Sequence, residues 1–321
     1  MENDGTASVV NLAKSRVQSK SDRRMKRILK NWQLYLFILP AFAAVILFNY
    51  VPIYGVQIAF KNFIPTKGIW GSDWVGFTHF IRFFDSYYFW TLIWNTLGIS
   101  IYSLLVGFPI PILLALGLNE LRNGAFKKSV QTITYAPHFI SVVVMAGIII
   151  AFLSPETGIV NRFIGLFGFE PVSFMSEAGW FKTVYVFSDV WQNMGWGTVI
   201  YIAALAGIDP QQHEAAIMDG ASRLRRIWHV NLPGISSTII ILLILSTGGI
   251  LSVGFEKILL LQNQLNQDSS DVISTYVYRS GLRQAQYSFS SAVGLFNSVI
   301  NFIILVVVNW IARRKSEASL W

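Results

Sequence analysis

Asp189, Gln192, Asn193 and Trp196 recur at i, i+3, i+4 and i+7, which places four polar or stacking side chains on one face of a helix. Trp191 flanks that face. Gly294, Asn297 and Asn301 share a second helical face, and Tyr50, Tyr54 and Gln57 a third. A carboxylate, amides and aromatic rings together can hold a hydroxyl-rich ligand such as a sugar, by hydrogen bonds at its edge and ring faces against its C–H surface. The same residue types also fasten helices to each other through amides and small residues. All three sets lie in long apolar runs, where polar groups are costly and tend to face an interior cavity. Asp189 alone also fits a structural acid, since an unpaired carboxylate at a bilayer centre costs about 3 kcal/mol.

Covalent and nucleotide chemistry is not expected of this chain. No Gly-Lys dipeptide occurs, so the phosphate-cradling GxxxxGK[ST] loop is absent. His213-Glu214 opens the zinc-site pattern HExxH, but Ile217 stands where the second histidine is needed. There is no GxSxG elbow. The lack of cysteine removes thiol catalysis and disulfides. The expectation is a non-enzyme that binds neither cofactor nor metal.

The elements that must carry these residues are membrane helices. Of 321 residues, 53% are hydrophobic and 13% charged, against about 25% charged in soluble domains. Runs of about 20 mostly apolar residues are needed per crossing. Six are present, at residues 34–60, 90–118, 130–153, 183–207, 235–255 and 291–312, which predicts an all-α integral membrane protein with six transmembrane helices. Residues 1–33 form a basic leading segment and 313–321 a short tail. The leading segment is too polar, and the run after it too long, for a cleavable signal peptide. The net charge of +8 would suggest nucleic acid in a soluble protein. Here the basic residues crowd the segment Lys14–Lys30, the loops around Lys127 and Arg225, and Arg313-Arg314-Lys315, which places both termini in the cytoplasm, against lipid headgroups and not nucleic acid.

Between the fourth and fifth runs lies a loop, 208–234, with clear local physics. Asp209 can cap a helix, Pro210 suits its first position, and Gln212 can complete a capping box. Gly220 can end that helix in the left-handed conformation. Ser222 can start a second short helix, which Pro233 stops. The outcome is a stiff helix-turn-helix on the cytoplasmic side.

Glu214-Ala215-Ala216, Gly220, Val230, Leu232 and Pro233 fall in the order and spacing E-A-A-x3-G-x9-(I/V)-x-L-P. This resembles the EAA loop of ABC importer permeases, with Val230 where isoleucine is commoner. Trp74-Val75-Gly76-Phe77-Thr78-His79-Phe80 and Asn95-Thr96-Leu97 resemble the corresponding run of the carbohydrate-uptake type, with His79 in place of an asparagine. Tyr135-Ala136-Pro137, Gly158-Ile159-Val160-Asn161 and Leu205-Ala206-Gly207-Ile208 fit as well. The stretch Asp271 to Arg279 is similar to the branch for oligosaccharides and polysaccharide fragments.

The resemblance implies the type I importer permease fold in a bacterial cytoplasmic membrane. It also implies a cytoplasmic ABC ATPase dimer holding ATP and Mg, a second permease subunit (a non-identical homologue), and an extracytoplasmic substrate-binding protein. Glu214, Ala215, Ala216, Asp219, Gly220 and Pro233 would form the seat for the ATPase. The outer loops 61–89 and 262–290, with Tyr276, Arg279 and Arg283, would meet the binding protein. An ion-driven secondary transporter and a membrane scaffold remain as other classes; neither accounts for the EAA spacing, and secondary transporters usually show internal repeats. Glu214→Lys or Gly220→Asp is expected to leave the protein in the membrane while ATP hydrolysis no longer drives uptake. Wild-type transport by these variants would defeat the assignment.

Overall fold

The computed structural model describes residues 30–315 and 319–320. Most of the basic leading segment, including Lys14 and Arg27, lies outside the described residues, as do 316–318 and 321. The chain divides into two compact units between Gln57 and Ile58, each described by itself.

The described part of the first unit is one continuous helical stretch. Helix α1 (Trp32–Val45) widens to a π-turn at Ile46–Tyr50 and tightens into a 3-10 stretch from Val51. Pro40 sits inside α1 without interrupting it, whereas Pro52 removes a backbone donor where the winding changes.

The second unit is a helix bundle with small elements at one end. A two-stranded antiparallel hairpin, β1 (Lys61–Asn62) with β2 (Asp73–Trp74), pairs Lys61 with Trp74. Helix α2 (Thr78–Phe84) follows, with Phe83 fully buried against Leu92, Ile273, Phe289 and Val293. Helices α3 (Phe89–Gly107) and α4 (Pro109–Glu120) run on through Phe108, whose backbone stays helical. Pro109 is tolerated there as the first residue of a new helical stretch.

The predicted third crossing, 130–153, is not one straight helix. It is α5 (Ala125–Tyr135) with a 3-10 turn Ala136–Phe139, then α6 (Val142–Phe152), bent by 106°. Pro137 removes a donor, Ile140 and Ser141 are extended, and the Ser141 hydroxyl accepts the Val144 N–H at 3.4 Å to start α6. After the short helix α7 (Ile159–Gly165), α8 (Phe181–Ala206) runs 26 residues through the bundle, about 39 Å at 1.5 Å per residue.

The loop region folds as α9 (Pro210–Met218) and α10 (Arg223–Arg226), followed by a π-turn at Ile227–Asn231. The stretch ends one residue past Pro233, close to where the sequence reading has that proline stop it. The wide π-turn before it absorbs the missing donor, the helix continues to Gly234, and the chain bends 60° at Ile235 into α11 (Ser236–Thr247). The predicted fifth run continues to residue 255, yet α11 ends at Gly248-Gly249 and an irregular turn leads into α12 (Phe255–Leu261). Helix α13 (Ile273–Tyr278) then precedes α14 (Tyr287–Lys315), longer than the run 291–312.

Three helical stretches among the described residues are long and apolar enough to cross a membrane: 32–60, 89–120 and 287–314. Two bent pairs, 125–152 and 223–247, bring the number to five. Helix α8 has the length but carries too many polar residues to join them.

Helix α8 is the central post, packed against α3, α4 and α5. Its contact with α5 is a backbone approach: a Cβ on Gly195 would collide with the Thr134 carbonyl. Ile99, Met145, Tyr185, Val186, Ile258 and Val272 form the core around its first half, and Ile112, Leu116, Tyr201, Leu205 and Ile235 the core around its second. Gly195→Val is expected to destabilise the bundle by about 1–3 kcal/mol or more, through overpacking that backbone cannot relieve. Gly179→Val, at an open position, serves as the control. Melting in detergent checks both.

Candidate functional site

The polar face of α8 opens onto a cavity of about 440 Å³, within the range of about 300–1,000 Å³ usual for ligand pockets. Helix α3 contributes Ser100 and Ser103, α8 contributes Tyr185, Asp189 and Asn193, and the end of α11 and the turn after it contribute Ser246 and Ser252. The Ser100 and Ser103 hydroxyls are buried and have no hydrogen-bond partner among the described residues. The cavity exists because α11 stops at Thr247 and because Gly107, Gly197 and Gly249 present no side chain to it.

Asp189 is held from two sides. Its Oδ1 accepts Asn193 Nδ2 at 3.0 Å and lies 3.6 Å from Lys257 Nζ on α12. The Lys257 side chain is 6% exposed and the Asp189 side chain 42%, so the base is buried behind the acid and the acid faces the cavity. Lys257 also sits over the Tyr185 ring, 5.3 Å from its centre. Because the Asn193 amide donates to Asp189, its Oδ1 must accept, and it meets His138 Nδ1 at 3.0 Å. That pairing puts the proton on Nδ1 of His138. The His138 ring lies parallel to Trp196, 4.9 Å between centres and 3° between planes. A polar chain thus runs from Lys257 through Asp189 and Asn193 to His138, at the break between α5 and α6.

The other predicted path residues part from this group. Gln192 is buried, and its Nε2 donates to the Ile140 carbonyl at 3.1 Å, a group freed by the break before α6. Asn301 accepts the Leu251 N–H at 2.9 Å and donates to Ser252 Oγ at 3.0 Å, pinning the turn after α11. Both are structural ties, although the second borders the cavity. Trp191 points elsewhere, into an apolar cavity of about 270 Å³ with Phe152, Phe174, Trp180 and Phe187. Asn297 lines neither cavity, and its Oδ1 is buried without a partner among the described residues. Tyr50 and Tyr54 belong to the first unit and are exposed there.

His138, Lys257, Ser100, Ser103 and Tyr185 are absent from the sequence reading. The signals that could have found them are a histidine beside Pro137 in an otherwise uncharged run, and Glu256-Lys257 closing another.

The loop 208–234 follows its residues closely. Asp209 accepts the Gln211 N–H at 3.0 Å, so its cap works through that donor and not through a reciprocal pair with Gln212. Gly220 has φ +74°, Ala221 N–H donates to the Ala216 carbonyl at 2.9 Å and Gly220 N–H to Ile217 at 3.0 Å. These two bonds are the Schellman closure, and they explain why the glycine follows Ala216 by four residues. Ser222 caps α10 through the Arg225 N–H at 3.4 Å. Glu214, Ala215, Asp219, Gly220 and Pro233 are exposed and Ala216 half-buried. Met218 is 86% exposed, and Ile217, Leu224 and Trp228 are exposed apolar side chains of the same loop.

At the other end, Arg279 is not a free docking group. Its guanidinium pairs with Asp271 through two hydrogen bonds, 3.2 and 2.5 Å, and Asp271 is buried. Burial works against the Arg279 charge, but the bond and charge of Asp271 outweigh it and raise its pKa above the ordinary value.

A helix bundle with broken crossings, a polar cavity at the breaks and a stiff exposed loop defines a membrane transport subunit. The chain belongs to the family described as binding-protein-dependent transport system inner membrane component, whose profile matches residues 107–317. Protein LplB of Bacillus subtilis is 45% identical, over 90% of this chain and 91% of its own length. The polygalacturonan/rhamnogalacturonan transport system permease protein YteP of the same organism is 43% identical over 95% of both chains. A chain in the crystal structure of a bacterial alginate ABC transporter, in complex with an alginate pentasaccharide-bound periplasmic protein, superposes with a TM-score of 0.84. It is 42% identical, covering 92% of this chain and 99% of that one.

Asp189→Ala leaves Lys257 buried without its counter-charge. Discounted for the exposure of the acid, the expected loss is about 1–3 kcal/mol. Adding Lys257→Met in the same chain recovers most of it, as melting curves of the two variants will show.

Proposed function

We propose that this permease forms the path by which an oligosaccharide or polysaccharide fragment enters a bacterial cell across the cytoplasmic membrane, driven by ATP hydrolysed on a partner. One observation carries the reading. The carboxylate of Asp189, the amide of Asn193 and two unpaired serine hydroxyls converge on one cavity, with aromatic rings beside them, in a chain of an importer family. Those groups suit a ligand made of hydroxyls and C–H faces. Relatives named for polygalacturonan/rhamnogalacturonan and for alginate support the carbohydrate class.

In this reading six helical passages cross the bilayer. Helix α8 is the fourth, tolerated in spite of its polar residues because Asp189, Gln192 and Asn193 find partners within the bundle, and the bent stretch through α11 belongs to the fifth. Both termini are cytoplasmic, as the distribution of Lys and Arg favours, so that 1–33, 208–234 and 313–321 lie inside and 34–312 hold the membrane domain. Helix α9 and the turn after it, with Glu214, Ala215, Ala216, Asp219 and Gly220, seat the ATPase dimer. ATP and Mg reside on that dimer, and this chain binds no cofactor of its own. A second, non-identical permease completes the membrane pair, and a binding protein delivers the saccharide from outside. Rigid-body motion of α9 on ATPase closure changes access to the cavity.

The test is uptake by cells expressing the complete importer, offered labelled oligogalacturonides, alginate oligosaccharides and maltotriose. At least one is expected to accumulate in an ATP-dependent manner. Asn193→Ala should lower that accumulation about ten-fold, as removal of one or two hydrogen bonds allows, with the binding protein's affinity unchanged. Uptake of none, or full uptake by Asn193→Ala, removes the sugar-path assignment.

A further inference from the structure

Among the described residues, one ion pair fastens the loop that carries α9 and α10 to the bundle. Glu120 is the last residue of α4, and the chain turns extended immediately after it, at Leu121. One carboxylate oxygen lies 3.6 Å from the Arg226 guanidinium, and the other accepts the Asn231 amide at 3.3 Å. The pair is largely screened from solvent, with side-chain exposures of 19% and 20%, and Asn231 is fully buried.

Arg226 and Asn231 are five residues apart, which on an α-helix would aim them in different directions. The π-turn Ile227–Asn231 brings them one turn apart, because its bonds run i to i+5, as in Leu232 N–H to the Ile227 carbonyl. The wide turn therefore lets a single acid grip the loop twice. Beside it, Ile208, Ile227 and Leu232 pack on Ile112, Leu116 and Ile235, so the grip is backed by apolar contact.

Helix α4 leads from this grip to the cavity. Pro111, nine residues before Glu120, lines the cavity wall, about 14 Å away at 1.5 Å per residue. We propose that Glu120 is the positioning residue that makes the cytoplasmic loop and α4 one rigid body, so that displacement of the loop reaches the cavity wall through α4. This rests on the reading that α9 seats an ATPase. Glu120 acts through Arg226 and Asn231 and touches neither nucleotide nor saccharide.

The absence of cysteine from this chain lets its spin labels be placed by substitution alone, in an importer whose other subunits have been freed of cysteine. In the complete importer, labels at Gln212→Cys on α9 and Leu113→Cys on α4, both exposed positions, are expected to keep one distance with and without ATP. With Glu120→Ala added, that distance should become nucleotide-dependent and broad, and ATP-dependent uptake should fall about five-fold or more. If Glu120→Ala does not assemble, Glu120→Gln, which keeps shape and the amide contact but loses the charge, should show the same nucleotide dependence. A distance that shifts with ATP in the parent chain, or that stays fixed in the assembled Glu120 variant, overturns the proposal. Cross-linking from Met218→Cys separates the two ideas. Failure to reach the ATPase removes the seat itself, whereas a cross-link with a mobile loop removes only the role of Glu120.

Discussion

Hydrocarbon offers no water to satisfy a backbone donor or acceptor, so a helix can break inside a membrane protein only where another group takes up the freed bonds. Two of this chain's breaks flank the cavity beside its central helix, and each of these is met by a side chain from elsewhere. Gln192 of α8 takes the Ile140 carbonyl at the first. Asn301 of α14 takes the Leu251 N–H at the second, where Tyr185 also accepts the Gly254 N–H. Without those bonds neither break would be tolerable, and without the breaks the bundle would close over the space now lined by Asp189 and Asn193.

That dependence explains how the polar residues divide. Periodicity puts Asp189, Gln192, Asn193 and Trp196 on one face, but says nothing of what each meets. Gln192 meets an orphan carbonyl and is spent on the fold, while Asp189 and Asn193 meet each other, a buried base and a histidine, and still face open space. The distinction is invisible in the sequence because Ile140, Lys257 and His138 are far from α8 along the chain and close to it only after folding. The breaks were equally hidden. Pro137 and Gly248-Gly249 mark places where a helix can stop, but an apolar run gives no sign of whether it does.

The loop at 208–234 is the most legible part, and the reason is that its structure is local. Asp209, Pro210, Gly220 and Ser222 act within a few residues of their own positions, and caps and turns of this kind are decided by nearest neighbours. Even there the reading stops where locality ends. The π-turn before Pro233 has no local signal, because it is part of a contact with Glu120, more than a hundred residues earlier. The family, too, was readable here, since the E-A-A and glycine spacing carries it.

The π-turn at Ile227–Asn231 also bears on chain length. One extra residue is stored in that widened turn. Deleting one of the five would return it to α-helical winding, in which about four residues cover the turn that five cover now, so α9 would keep roughly its present aim. Chains related to this one are free to vary their side chains along the stretch, and to shorten it by one residue, provided the ion pair and apolar contacts survive. A gap of one residue at this place in an alignment of relatives would therefore mark a chain in which the bulge has been replaced by plain α-helix.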